Sequence, residues 1–315
     1  MERPESTESS CPFLPVVIAP TFDNAGTLLD VLARIEAVGV PIIVVNDGST
    51  DGTVDALTQW RAAKHATPVW VETHPRNRGK AAAMRTGFAK AEVEGFSHAV
   101  TIDTDGQLDP AQIPEFLRVA GDNRTALVLG RRSDLLAGLP RANRLAWWLS
   151  ALGIWLNTGR RVPDSQCGLR VYPLGLLRVM RCRARRYGFE TESVIRGAWS
   201  GAALIEVPVE CHYPPKHERV SHFNAWLDGP YNFLMQAAFT IRRLIPWPHP
   251  RMALPEDNRP TSPPRLAGEA FFDWVSPMTL WRQLRRDRLQ QLIVAAAVGI
   301  GAFVACMPLG WPRFF

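Results

Sequence analysis

The chain has 315 residues, 46% of them hydrophobic, and 36 basic residues against 30 acidic ones give it a net charge of +6. Such a chain can bury one large core or two smaller ones, which excludes disordered and fibrous classes. Its cysteines, Cys11, Cys167, Cys182, Cys211 and Cys306, are odd in number and form no Cys-x-x-Cys pair, so neither a disulfide framework nor a zinc site is indicated and a reducing compartment is expected.

Residues 1–12 read as a flexible polar tail, without the basic start and apolar stretch of a signal peptide. Leu14–Ala19 is a short apolar run closed by Pro20 and predicts a buried strand. Leu28, Leu29, Leu32 and Ile35 then recur at helical spacing. Pro41–Asn46 predicts a second strand, ending in turn residues from Asp47 to Thr53, with a helix from Val54 onward. Val69–Glu72 is a weaker third strand, followed by the loop His74–Lys80 and an alanine-rich helix over Ala81–Ala91. Strands alternating with helices predict an α/β, doubly wound, mostly parallel sheet of Rossmann-like type, with ligands at the carboxyl ends of the strands.

Val100–Ile102 reads as the end of a fourth strand, and Asp103, Asp105 and Gln107 follow it at every second position. In extended chain these three project to one side. Two neighbouring carboxylates repel unless a cation or shared proton intervenes, and hard oxygen donors suit Mg²⁺ or Mn²⁺ that is also held by substrate phosphates. Asp23, Asp47, Arg78 and Lys80 fall at the same ends of their strands. For Asp47 an Asx-turn is the competing reading, and for Arg78 and Lys80 a solvated loop cation is.

Pro20-Thr-Phe-Asp-Asn24, Val45-Asn-Asp-Gly-Ser-Thr-Asp-Gly-Thr53, Asn77-Arg-Gly-Lys80 and Asp103-Thr-Asp-Gly-Gln107 resemble, in order and spacing, the family 2 glycosyltransferases. The branch with the dolichyl- and polyprenyl-phosphate sugar synthases is the nearest in look. The resemblance spans roughly residues 14 to 215 and implies a GT-A fold and inverting transfer from a UDP- or GDP-sugar. It implies that Asp47 bonds the nucleobase and that the Pro20–Asp23 loop lies against the nucleoside. It also implies that Asp103, Asp105 and Gln107 hold the metal on the donor diphosphate; independently, Lys80 or Arg78 could add charge there.

Ala126–Leu129 predicts a strand leading into Arg131 and Arg132. By the resemblance Arg131 contacts the acceptor phosphate, as a bidentate guanidinium would; an ordinary surface arginine pair is the alternative. Asn143–Asn157 predicts a helix carrying Trp147, Trp148 and Trp155, suited either to the core or to a membrane interface. Asp164-Ser-Gln-Cys-Gly-Leu-Arg170 resembles the family's acceptor-side stretch, with Leu169 where an aromatic is commoner, and makes Gln166 and Arg170 acceptor residues. Asp164 would be a general base toward a hydroxyl acceptor, whereas a lipid phosphate needs none. Glu190 and Glu192 match acidic positions at the start of a helix running to Trp199, where the helix dipole alone could account for them.

Leu204–Val209 predicts the last strand of a domain spanning 13–225. The basic loop after it, with His217, Arg219, Ser221 and His222, is of a kind that folds over donor phosphates, or is simply a surface loop. Residues 226–245 predict an amphipathic helix, 246–278 a proline-rich linker, and 279–315 a basic and apolar membrane-associated segment whose Leu292–Leu309 stretch has no charge. Arginines preceding a span of that length would place it at the cytoplasmic face of the inner membrane. The clusters Arg178–Arg186 and Arg282–Arg288 favour phosphate or a membrane surface as partner and, with no aromatic-interleaved basic stripe, not nucleic acid. Transfer of a sugar to a polyprenyl phosphate is the expected activity. Transfer to another lipid or a saccharide hydroxyl, or a non-catalytic nucleotide-sugar scaffold, are the alternatives.

Overall fold

The computed structural model describes residues 12–132, 141–212, 225–244 and 252. Strands β1 (Pro15–Thr21), β2 (Ile42–Asn46), β3 (Val69–Thr73) and β4 (His98–Thr101) alternate with helices α1 (Ala25–Glu36), α2 (Thr53–Ala62) and α3 (Lys80–Val93). Helix α4 (Ile113–Asp122) leads to β5 (Leu127–Arg132), α5 (Arg141–Thr158), β6 (Arg170–Pro173), α6 (Leu174–Met180), α7 (Gly188–Trp199), β7 (Leu204–Val209) and α8 (Ala225–Leu244). The strands form one sheet in the order β3-β2-β1-β4-β6-β5-β7. Every pairing is parallel except those of β6, which runs antiparallel to both β4 and β5.

The β-branched runs of β1 and β2 are buried on both faces, as a parallel sheet covered by helices requires. Val17, Ala19, Ile42, Val44, Val100 and Val128 pack under α1, α2 and α4, while Val16, Ile18, Ile43, Val45, Leu127 and Leu129 pack toward α3, α6 and α7. The alanines of α3 let it lie close on the sheet: a Cβ on Gly87 would come within 2.5 Å of Ile18 Cγ2. Pro20 sits inside β1 without disrupting the ladder. The pairing with β4 ends at Ile18, so the side of Pro20 that lacks an N–H faces no strand. There the sheet parts and a crevice opens.

The expected strands and the helices at α1, α2, α3, α5, α7 and α8 are present with shifts of one or two residues. Strand β6 and helices α4 and α6 lie outside that reading. β6 is four residues long with arginine and proline at its ends, so it has no apolar run of its own and is defined by neighbours on both sides. Helix α5 has a core face and an open one: Leu149, Ile154 and Leu156 are buried, whereas Trp148 and Trp155, one heptad apart, are 54% and 45% exposed. Among the described residues no helix is long and apolar enough to cross a membrane. The expected tail apart from Pro12, the Arg219/Ser221/His222 loop, the linker apart from Met252 and the 279–315 segment lie outside the described residues.

Candidate active site

The loops beyond β1, β2, β3 and β4 meet at one edge of the sheet and are bound to each other by side chains. Asp23, at φ +46°, accepts a hydrogen bond from Thr50 N at 2.7 Å, and its own N–H donates to Ser49 Oγ at 2.9 Å. Asp47 is 2% exposed. Its Oδ1 accepts from Arg78 N at 2.9 Å and its Oδ2 from Gly79 N at 2.7 Å. His74 Nδ1 lies 2.6 Å from the same carboxylate, with Nε2 2.9 Å from Thr86 Oγ1. The carboxylate can only accept, so His74 Nδ1 carries a hydrogen toward it, while Nε2 bonds with the threonine hydroxyl.

Asp47 therefore holds the 74–79 loop at the wall of the crevice. Gly48 allows this: at φ +72°, its missing Cβ would lie 2.3 Å from the Arg76 backbone. A cleft of about 400 Å³ is lined by Phe22, Asn46, Ser49, Thr50, His74 and Asn77 among others. Arg78 is exposed at its edge.

The loop after β4 alternates as expected. Thr104 points inward, 1% exposed; its hydroxyl donates to Pro20 O at 3.1 Å and accepts from Asn24 Nδ2 at 2.9 Å. This clips the loop to β1. Asp103, Asp105 and Gln107 fall on the opposite side and line a second pocket, together with Arg132, Gln166, Cys167 and Gly168. Gly168 is packed directly under Asp103, since a Cβ there would be 2.2 Å from Oδ2.

Lys80 Nζ lies 2.6 Å from Asp103 Oδ1 and 2.8 Å from Glu190 Oε1. Burial opposes the lysine charge, and Asp103 and Glu190 outweigh it, raising the pKa above the usual lysine value. Burial and the Asp103 charge together push Asp105 up to about 6, against the pull of Gln107 N–H and Lys80. Glu190, only 3% exposed, is thus an ion-pair partner within the site and more than a helix-dipole residue. Glu192 has a separate task, accepting from Arg183 N at 2.7 Å and pairing with Arg196.

The structure separates the two arginines at the end of β5. Arg132 lines the pocket, whereas Arg131 is exposed and lies on the other face of β5, near Glu206. Neighbours on a strand point to opposite faces, so only one of the pair can enter the pocket. Asp164 is 2% exposed and forms a two-point bridge to Arg132, with Oδ2 to Nε at 2.7 Å and Oδ1 to Nη2 at 2.9 Å. Burial disfavours its charge, but the bridge prevails and holds its pKa below the usual aspartate value. A carboxylate in this state is a poor general base.

Gln166 is exposed on the pocket wall. Arg170 is 0% exposed, and its guanidinium donates to the carbonyls of Cys167, Ser165 and Glu190 at 2.7, 2.6 and 2.8 Å. The acceptor role expected of Arg170 is corrected to a structural one. Burial, reinforced by Asp164, lifts the Cys167 thiol to about 12, so it lines the pocket as an inert group.

Among the described residues no group of three or more His, Cys, Asp or Glu side chains is arranged to hold a metal. The oxygen set available for one is two carboxylates and the Gln107 amide, and these fit a hard cation. Three such donors line one pocket, and two of them are neighbouring carboxylates whose repulsion a cation would relieve.

A family model described as "Glycosyl transferase family 2" matches residues 16–174. An undecaprenyl-phosphate mannosyltransferase of Micrococcus luteus is 30% identical over 204 residues, covering 62% of this chain and 82% of that protein. A UDP-N-acetylglucosamine–dolichyl-phosphate N-acetylglucosaminyltransferase of Methanococcus voltae is 28% identical over 187 residues, covering 55% and 74%. The fold is shared with a mannosyltransferase of Pyrobaculum calidifontis, solved with GDP-Man and Mn²⁺. That match has a TM-score of 0.53 at 17% identity and covers 93% of this chain and 73% of the other. It is shared too with the glucosyl-3-phosphoglycerate synthase of Mycobacterium tuberculosis, solved with Mn²⁺, UDP-glucose and phosphoglyceric acid, at a TM-score of 0.51 and 20% identity over 74% and 80% of the two chains.

Proposed function

As a member of glycosyl transferase family 2 this chain is a glycosyltransferase, and we propose that it moves a sugar, with inversion, from a UDP- or GDP-sugar to a polyprenyl phosphate at the cytoplasmic face of a membrane. The arrangement that carries this reading is a single pocket with the Asp103, Asp105 and Gln107 oxygens on one wall and an arginine locked by a buried aspartate on the other.

The cleft beside Asp47 takes the nucleoside, and Asp103, Asp105 and Gln107 would hold a Mg²⁺ or Mn²⁺ ion at the diphosphate. When bound, such an ion acts as a Lewis acid that neutralises the leaving diphosphate. Lys80, anchored between Asp103 and Glu190, adds positive charge beside the same oxygens. Arg132 is oriented by Asp164 and supplies the cation for an anionic acceptor. A phosphate oxygen attacks the anomeric carbon as the bond to the diphosphate breaks, and it has no proton to lose. The locked, low-pKa Asp164 suits that chemistry and not the deprotonation of a hydroxyl. Two features support a membrane location: the uncharged Leu292–Leu309 stretch behind four arginines, and the exposed Trp148 and Trp155.

The test is to incubate the full chain with membranes, Mn²⁺ or Mg²⁺ and a panel of labelled UDP- and GDP-sugars, with Asp105→Asn as control. Label extracted into organic solvent by the parent alone, and released by mild acid, is the expected result. Label appearing only on water-soluble saccharide would replace the lipid phosphate with a hydroxyl acceptor.

A further inference from the structure

We infer that the segment Arg181–Arg186, between α6 and α7, is a cationic docking edge for an anionic lipid bilayer. The inference goes beyond the proposed reaction in assigning a surface, and it rests on that reading only for its orientation toward a membrane. Arg181, Arg183 and Arg185 are exposed, while Ala184 is buried and Cys182 half-buried. The side chains therefore alternate, with every second one an arginine in solvent. None of the three has an acidic side-chain partner among the described residues, unlike the exposed Arg118 and Arg178, which pair with Glu115 and Glu92.

The backbone of this segment is held from beneath. Glu192 Oε2 accepts from the N–H groups of Arg183 and Ala184, Tyr231 Oη accepts from Arg185 N at 2.9 Å, and Arg85 Nη1 donates to Ala184 O at 2.9 Å. Arg186 closes the segment, its Nε 2.5 Å from the buried Asp228. Arg181 and Arg186, at its two ends, have φ of +48° and +50°, a conformation that non-glycine residues adopt only when their surroundings impose it. The buried acids thus serve the backbone and Arg186, and leave three guanidinium groups presented outward on a fixed support.

The neighbouring loop extends this edge. Gly79 packs against Arg186, whose Cγ would be 3.3 Å from a Cβ at that glycine, and Arg76 and Arg78 beside it are exposed. Neither His74–Lys80 nor Arg181–Tyr187 contains an acidic residue. Five exposed arginines on two abutting loops make a basic surface, and none of the five is paired with an acid among the described residues. The arginines do not interleave with aromatic stacking residues as single-strand nucleic-acid surfaces do. Exposed tryptophans lie instead on α5, which packs on α7 and α8, and that combination suits a headgroup layer.

The test is co-sedimentation of the full chain with vesicles of phosphatidylcholine, with or without 30 mol% phosphatidylglycerol, for the parent and for R181A/R183A/R185A. Each basic residue near an anionic surface is worth about 1 kcal/mol, so the triple variant loses its preference for anionic vesicles by on the order of 100-fold. R181K/R183K/R185K retains most of it, and salt erases the parent's preference. An unchanged preference in the alanine variant would overturn the inference. So would a loss confined to binding of single-stranded RNA, which would reassign the surface to nucleic acid. Mn²⁺-dependent nucleotide binding, measured on the same samples, separates the two readings. Nucleotide binding without anionic-lipid preference removes only the docking edge, and preference without nucleotide binding removes only the proposed transfer.

Discussion

Gly168→Ala isolates the geometry of the Asp103 wall. The added Cβ would lie 2.2 Å from Asp103 Oδ2 and 2.6 Å from its Cγ, where ordinary contact begins near 3.4 Å, so the carboxylate must retreat by about 1.2 Å. Neither partner has slack. Oδ1 is 2.6 Å from Lys80, and the Gly168 carbonyl accepts from Thr101 Oγ1 at 2.9 Å. Gly168 is not among the positive-φ residues, so alanine is no strain on the backbone itself. Misplacing a catalytic ligand by about 1 Å costs on the order of 100-fold in rate, equivalent to about 2.7 kcal/mol of transition-state stabilisation. The measurements are kcat/KM for sugar transfer, Mn²⁺ affinity by calorimetry in the presence of nucleoside diphosphate, and Tm. The expected outcome is a roughly 100-fold drop in kcat/KM and weaker Mn²⁺ binding, with Tm within a few degrees of the parent. Parental kcat/KM and Mn²⁺ affinity in Gly168→Ala would refute the placement of Asp103 in the metal set.

Asp105 gives a pH signature. With its folded pKa raised to about 6 from 3.8, its charge destabilises the fold above pH 6, and that penalty fades as pH falls toward 3.8, where the group is protonated folded or unfolded. Asp105→Asn should therefore raise Tm at pH 8 and not at pH 4, while abolishing Mn²⁺-dependent nucleotide binding; calorimetry at the two pH values checks both. Arg132→Ala should lower kcat/KM by roughly 100- to 1000-fold and Arg131→Ala by less than about threefold, as judged from the loss of one preorganised donor in the site. The reverse order in steady-state kinetics would restore Arg131. Arg170→Met leaves the Cys167, Ser165 and Glu190 carbonyls without their buried donor and should cost roughly 1–3 kcal/mol per orphaned carbonyl in urea unfolding. An unchanged midpoint with lost transfer would return Arg170 to the acceptor site.

The donor half was legible because its signals are local. β1 and β2 announce themselves by β-branched runs, and the parity of Asp103, Asp105 and Gln107 survives because Thr104, between the aspartates, is anchored inward. The acceptor half depends on distant partners. Parity failed at Arg131 and Arg132, since an Arg-Arg pair at a strand end says nothing of which member faces inward until β6 and β7 fix the register of β5. Arg170 has the charge of a ligand and the surroundings of a core residue, because three carbonyls, one of them 20 residues away, surround it. Lys80 and Glu190 are 110 positions apart, and only the closeness of α3 and α7 makes them a pair.

The reversal of β6 has a consequence for how this active site diversifies. Because β6 runs against its neighbours, the chain that precedes it, and not the chain that follows, lies at the carboxyl edge of the sheet, between the ends of β4 and β5. β4 and β5 are two strand spacings apart, roughly 10 Å, so the segment from Asp164 to Gly168 forms a floor between the Asp103 wall and the Arg132 wall. Changes in that floor alter what can lie against Arg132, and none of its residues lines the cleft formed by the loops after β1, β2 and β3. Within this floor Gly168 is tied to the Asp103 wall, whereas Gln166 is exposed on the pocket wall, so variation of the floor without disturbing Asp103 falls to positions such as Gln166.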